Sequence, residues 1–216
     1  MERKSLLGIG LLYILYLIVL ETHKDWNIFL KPILVPLLIF AVLPLSFNGK
    51  IKLIFALIFS TLGDIFLLFK GELFFMLGLG SFLIAHVWYI VIFTNRLRGK
   101  GNLKSLVILI LPVLVYLGVF LSLLWNQEKM IPIRIPVVVY ACVISTMLLL
   151  ASSLFLANDK SKIQLLFGAL YFVISDSCLA WNLFHSEIPH ASLIVMSTYL
   201  LAQLLLTWGI SSKHQS

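Results

Sequence analysis

The 216-residue sequence predicts an all-α, polytopic membrane protein: eight transmembrane helices, both termini cytoplasmic, and a single helical domain over residues 1–216. Three observations predict it. Composition is the first: 61% of residues are hydrophobic, 12% are charged and the mean hydropathy is +1.07. A soluble domain is roughly half apolar and about a quarter charged, so a soluble globule, a disordered chain and a secreted disulfide mini-domain are excluded. The second is that apolar residues come in runs of about 17–25, enough to cross a hydrocarbon core about 30 Å thick. The third is that the polar breaks between runs alternate between basic-rich and basic-poor.

The runs cover about 5–20, 28–47, 51–69, 73–94, 104–124, 133–156, 163–184 and 189–210. Arg3 and Lys4 precede the first, but Glu21-Thr22-His23-Lys24-Asp25 follows it with no small-x-small cleavage site. It therefore reads as a retained helix rather than a signal peptide. Pro32, Pro132, Pro136 and Pro189 sit near run starts, where a missing N–H does little harm, whereas Pro44 and Pro112 fall inside runs as expected kinks. Trp26, Trp125, Trp181 and Trp208 lie near run ends and read as interfacial anchors. Cys142, Cys178, Ser145, Thr146, Ser152 and Ser153 read as small packing residues.

Charge sets the orientation. The N-terminus, the second, fourth and sixth breaks and the C-terminus hold Arg3, Lys4, Lys50, Lys52, Arg96, Arg98, Lys100, Lys104, Lys160, Lys162 and Lys213. The opposite side holds Lys24, Lys31, Lys70, Lys129 and Arg134. Basic loops face the cytoplasm, which places both termini there and agrees with an even number of spans. The net charge of +7 is then a topology signal and not a footprint for nucleic acid.

A carboxylate in hydrocarbon costs at least ~2.5–3.5 kcal/mol, so acids inside spans are functional candidates. Seven of the nine acids lie in breaks or at ends; Asp64 and Asp176 do not. Asp64 follows Ile51 by 13 residues and Asp176 follows Ile163 by 13, on helices that start on the basic side. At ~1.5 Å per residue both carboxyls lie ~20 Å from the cytoplasmic boundary, which points to one shared site in the outer half of the membrane. His86 and Tyr89 share a face of the fourth span, about 10 Å deeper, so only tilt would bring His86 to the acids. Ser192, Met196, Tyr199 and Gln203 form one stripe of the eighth, and Lys31 starts the second where its stem reaches either acid. The segments around the acids, Ser60-Thr61-Leu62-Gly63-Asp64 and Phe172-Val173-Ile174-Ser175-Asp176, hint at a parallel four-plus-four repeat. The plainer alternative is that these polar groups only hold helices together.

At these residues the sequence resembles the YhhN/TMEM86 family of lysoplasmalogenases. The likeness rests on Lys31-Pro32, Ser60-x-x-Gly63-Asp64, His86-x-x-Tyr89, Tyr140 through Met147, Gly168-Ala169-x-x-Phe172-x-x-Ser175-Asp176 and Tyr199-x-x-x-Gln203. It implies an eight-span hydrolase of the cell membrane that cleaves the vinyl ether of a lysophospholipid substrate drawn from membrane lipid. Such a reaction needs a protonated carboxyl to deliver a proton to carbon, an anion beside the resulting cation, and a placed water, as in glycosidases. Asp64 and Asp176, sharing one proton, are the expected catalytic pair, and the serines beside Asp176 favour Asp64 as the acid. Lys31, Ser60, His86, Tyr89, Ser175, Tyr199 and Gln203 are the expected binding or positioning residues. No metal or other cofactor is expected, since His86 is the only histidine well inside a span and neither HExxH nor Cys-x-x-Cys occurs. The alternative function is a proton-coupled lipid or solute transporter using the two aspartates as a relay.

Overall fold

The computed structural model describes residues 3–98, 103–157 and 163–212. Lys100, Lys160, Lys162 and Lys213 of the charge pattern lie outside those residues. The regular structure is helical: α1 (Arg3–Thr22), α2 (Asn27–Val42), α3 (Lys50–Phe66), α4 (Glu72–Leu97), α5 (Leu103–Trp125), α6 (Arg134–Leu156), α7 (Ile163–Phe184) and α8 (Ala191–Ser211). Short 3-10 turns precede α2 and α6.

Five of these segments are long and apolar enough to cross a membrane: Ser5–Thr22, Glu72–Leu97, Glu128–Leu156, Ile163–Phe184 and Ala191–Ser211. The chain is therefore a multi-pass membrane protein. α2 is shorter than its apolar run because it ends at Val42, before Pro44, where proline cannot continue a helix. Pro44 is thus a stop signal and not a kink. Pro32, by contrast, lies inside α2 with Pro36, because the helix begins already at Asn27. Pro112 does lie within α5.

Packing follows the small residues. The most extensive interfaces join α3 to α4 and α7 to α8; α2 lies on α3, α6 on α4 and α7, and α1 on α2 and α8. α5 leans on α6 at the outside. Each of the two main interfaces closes on a glycine from either helix. A Cβ on Gly63 would lie 2.6 Å from the Phe82 ring, and one on Gly78 would lie 2.8 Å from Leu67. On the other pair, a Cβ on Gly168 would meet the Leu206 backbone nitrogen at 3.0 Å, and one on Gly209 would meet Leu165 at 2.6 Å. Helices in lipid associate by such close approach, because lipid tails are as apolar as the helix surfaces. Leu7, Leu11, Ile14 and Ile18 of α1 and Leu111, Val115 and Val119 of α5 face outward as an apolar coat. Cys142 and Thr146 also face outward, with the Thr146 hydroxyl donating to the Cys142 carbonyl, so they are not the packing positions that their size suggests.

At the far end of α8, Arg96 donates to the Gly209 and Ile210 carbonyls, which the helix itself leaves unpaired. Gly168→Val is expected to destabilise the protein in detergent by ~1–3 kcal/mol, because the added group meets both the Leu206 side chain at 2.8 Å and the Leu206 backbone nitrogen, so the side chain cannot relieve the clash alone. Gly80→Val, at a helical glycine with open space around it, controls for helix propensity and should leave the unfolding midpoint almost unchanged.

Candidate active site

Helical spacing gathers the polar groups. On α3, Ser60, Gly63 and Asp64 share one buried face, and on α8 Met196, Tyr199 and Gln203 do the same. Where these faces meet, Asp64 is almost fully buried and accepts a hydrogen bond from the Tyr199 hydroxyl at 2.7 Å. Lys31 Nζ, reaching over from α2, stands 3.5 Å from the other carboxylate oxygen, with both side chains sheltered. Gln203 locks this arrangement from below. Its Nε2 donates to Ser60 Oγ at 2.9 Å and to the Tyr199 oxygen at 3.3 Å, while its Oε1 accepts from Tyr89 at 2.7 Å. Lys31, Asp64, Tyr199, Gln203, Ser60 and Tyr89 thus form one continuous polar chain through α2, α3, α4 and α8.

Asp176 has a different setting. The Tyr140 hydroxyl of α6 donates to its Oδ2, and Asp176 is partly open where Asp64 is closed. No cation pairs with it among the described residues. The serines that flank it are committed elsewhere: Ser175 donates to the Val195 carbonyl at 3.0 Å, and Ser177 to the Val173 carbonyl while also meeting the Tyr116 hydroxyl. The expected stabilisation of the Asp176 anion by its neighbouring serines is therefore corrected. The residue order put the hydroxyls close in sequence, but a helix turns them towards carbonyls one turn back or across an interface.

Both acids line one cavity of about 680 Å³, along with Lys31, Ser175, Ser192 and Tyr199. The cavity opens where the α1–α2, α3–α4, α5–α6 and α7–α8 connections lie, with Lys70, Glu72 and Lys129 at its rim. A second, narrower and mainly apolar pocket lies between α5, α6 and α7. Asp176, Leu67, Phe75, Phe82, Leu179 and Phe184 belong to the walls of both.

The expected site residues thus divide into two shells. Lys31, Asp64, Ser175, Asp176 and Tyr199 face the cavity, whereas Ser60, Tyr89 and Gln203 lie behind it and fix Tyr199. His86 is buried outside the cavity, its ring edge-on to Tyr140 at 5.3 Å and to Phe172 at 4.5 Å between centroids. Among the described residues neither ring nitrogen has a hydrogen-bond partner of normal geometry. His86 therefore does not face the cavity with the acids; it packs against Phe172 and against Tyr140, the tyrosine that meets Asp176. Tyr140, which meets Asp176, entered the sequence reading only as part of the family likeness; its position three residues after Val137 and four before Ile144, on one buried face of α6, was the available signal. Asn27, which accepts from Tyr16 at 2.6 Å at the cavity wall, had no signal beyond a helix start. Among the described residues no three His, Cys, Asp or Glu side chains converge on a common point.

An apolar helical bundle enclosing two carboxylates in a cavity open at one end defines a multi-pass membrane protein with a buried polar centre. Comparison with known proteins narrows this. A model of the YhhN family matches residues 26–210, and the chain belongs to that family. It is 34% identical over 158 residues to "Lysoplasmalogenase TMEM86B" of Sus scrofa, which covers 73% of this chain and 62% of the pig protein. The Homo sapiens protein of the same name is 35% identical over 152 residues, covering 70% and 60%. "Lysoplasmalogenase TMEM86A" of Homo sapiens is 29% identical over 165 residues, covering 74% and 65%. The chain thus spans about three fifths of the length of the relatives it matches. All three are named as enzymes, so the transporter alternative finds no support among them. No solved structure matches.

If Lys31 neutralises Asp64, removing one partner should cost more than removing both. Lys31→Met is expected to lower stability by up to about 3 kcal/mol, and adding Asp64→Asn should restore part of it. Unfolding midpoints of the four proteins of the cycle, measured in one detergent, give the coupling; strict additivity would show that the pair does not interact.

Proposed function

We propose that this chain is a lysoplasmalogenase-type hydrolase of the cell membrane. It acts on the vinyl ether of a lysophospholipid and releases a fatty aldehyde and glycerophosphoethanolamine or glycerophosphocholine. The observation that carries the reading is a single cavity holding two carboxylates in unlike electrostatic settings, in a chain whose relatives carry that enzyme name.

The unlike settings assign the roles. Asp64 has a lysine and a tyrosine hydroxyl to stabilise its negative charge, so it is the standing anion. Asp176 has no cation beside it among the described residues and borders the apolar pocket, so it is the group that carries the proton. This reverses the roles that the flanking serines had favoured. Tyr140 donates to one oxygen of the Asp176 acid and leaves the other, protonated, oxygen for the substrate. The acid transfers its proton to the alkenyl carbon one bond removed from the ether-bearing carbon, which becomes an oxocarbenium ion. Asp64 faces that cation across the cavity and stabilises it. Water adds to the cationic carbon and returns a proton to Asp176, giving a hemiacetal. Asp176 then gives its proton to the glycerol oxygen as the carbon–oxygen bond breaks, and takes back the proton of the hemiacetal hydroxyl as the aldehyde C=O forms. One water is consumed and the acid is regenerated.

Within this reading Tyr199 and Ser175 line the reacting space, while Gln203, Ser60 and Tyr89 are positioning residues that act through Tyr199. Lys31 belongs to Asp64 and not to the substrate phosphate. The eight helices serve as eight spans of one domain, with both termini on the basic-rich cytoplasmic side and the cavity mouth on the other. The matching glycine-closed pairs α3–α4 and α7–α8, each carrying one acid, support a parallel four-plus-four repeat.

Purified protein in detergent, given an alkenyl lysophospholipid, is expected to release free aldehyde. Asp176→Asn and Asp64→Asn should each lower turnover at least ~100-fold, the scale of a lost general acid or charge stabiliser. Tyr140→Phe should cost ~10-fold or more by freeing the acid to rotate. Near-normal aldehyde release by both Asn variants would remove the mechanism.

A further inference from the structure

We infer that the substrate lies across the two adjoining cavities, with its phosphate between Lys70 and Lys129 at the rim and its hydrocarbon chain in the apolar pocket beneath α5. This placement rests on the hydrolase reading and adds the binding mode to it. Three observations carry it. The two cavities share a wall at Asp176, and their characters differ as the two ends of an amphiphile differ. In a vinyl ether lysolipid the scissile bond is the junction between the apolar chain and the polar glycerol, so it falls where the cavities join. That point is also where the proposed acid sits.

The charged end follows from the rim. Lys31 is already paired with Asp64, whereas Lys70 on the α3–α4 connection and Lys129 in the turn before α6 both stand exposed at the opening. Two ammonium groups at this rim, against the one carboxylate of Glu72, suit a phosphate diester approached from water, as point charges. The apolar end follows from α5. Tyr116, Leu117, Phe120 and Leu121 of this helix form the outer wall of the pocket, against Ala141 and Ile144 of α6. α5 packs on α6 at the edge of the bundle and meets α7 through the Tyr116–Ser177 hydroxyl pair. A chain in that pocket therefore lies beneath one helix at the edge of the bundle, and its length beyond the pocket extends towards lipid.

The test compares substrates of two chain lengths, and with or without phosphate, on the full-length protein in detergent. Ala141→Trp fills the pocket. The ratio of kcat/KM for a sixteen-carbon over a four-carbon alkenyl lysophospholipid should fall at least ~10-fold, as expected when a built apolar site is blocked. Leu117→Trp, from the α5 side, should shift the same ratio the same way and stands in if Ala141→Trp does not fold. Cys142→Trp, one residue on and facing outward, should leave the ratio alone. The double variant Lys70→Gln with Lys129→Gln should reduce by at least ~5-fold the preference for the phosphate-bearing substrate over the alkenyl glycerol that lacks it. Unchanged chain-length ratios in both Trp variants would overturn the tail placement while aldehyde release by the unaltered protein still upheld the hydrolase. An unchanged phosphate preference would overturn the rim site. No aldehyde from the unaltered protein would overturn the hydrolase reading and this placement together.

Discussion

The ion pair between Lys31 and Asp64 sets the character of the whole interior. Two carboxylates in one buried cavity repel each other and are costly to desolvate, and a lysine beside one of them breaks their equivalence. The Tyr199 hydroxyl adds to the same side, and Gln203 and Tyr89 hold that hydroxyl in place. Among the described residues Asp176 has the Tyr140 hydroxyl as its partner, and an apolar flank. The proposed division of labour between acid and anion rests on that asymmetry.

The scaffold makes the asymmetry possible by bringing α3 and α8 together at Asp64, and α6 and α7 together at Asp176. Close approach of α3 to α4 and of α7 to α8 depends on glycines that leave no room for a Cβ. At the floor of the cavity, Phe82 and Tyr199 of its wall meet each other and Phe172 edge to face and close it against the rest of the core. The polar chain is thereby sealed on its inner side and open only towards one end of the bundle. A reaction that uses one water gains from such a shape, since solvent can reach the acids from one direction alone.

Much of this was legible in the sequence. Runs of apolar residues gave each helix to within a few residues, and α7 runs from Ile163 to Phe184 as the sequence predicts. The outer ends were less legible, because hydropathy does not register that proline stops α2 before Pro44. Asp64 and Asp176 stood out because acids are rare in hydrocarbon, and their equal distance from the helix starts correctly put them in one cavity. Partner choice was not legible. Lys31 could have reached either acid, and only the packing of α2 on α3 decides for Asp64. Tyr140 was hidden because a tyrosine on a buried helix face is ordinary, and its value comes from the hydroxyl that happens to meet Asp176. His86 misled in the opposite sense: a histidine in a span attracts notice, yet it stacks edge-on behind Tyr140.

The central claim is that, of the two buried acids, Asp176 carries the proton and Asp64 does not. Infrared difference spectroscopy of the resting protein in detergent at neutral pH reads this directly, through the carbonyl stretch of a protonated carboxyl group. The account predicts a protonated-carboxyl band that vanishes in Asp176→Asn and persists in Asp64→Asn. A band that vanishes in Asp64→Asn and survives in Asp176→Asn would contradict it.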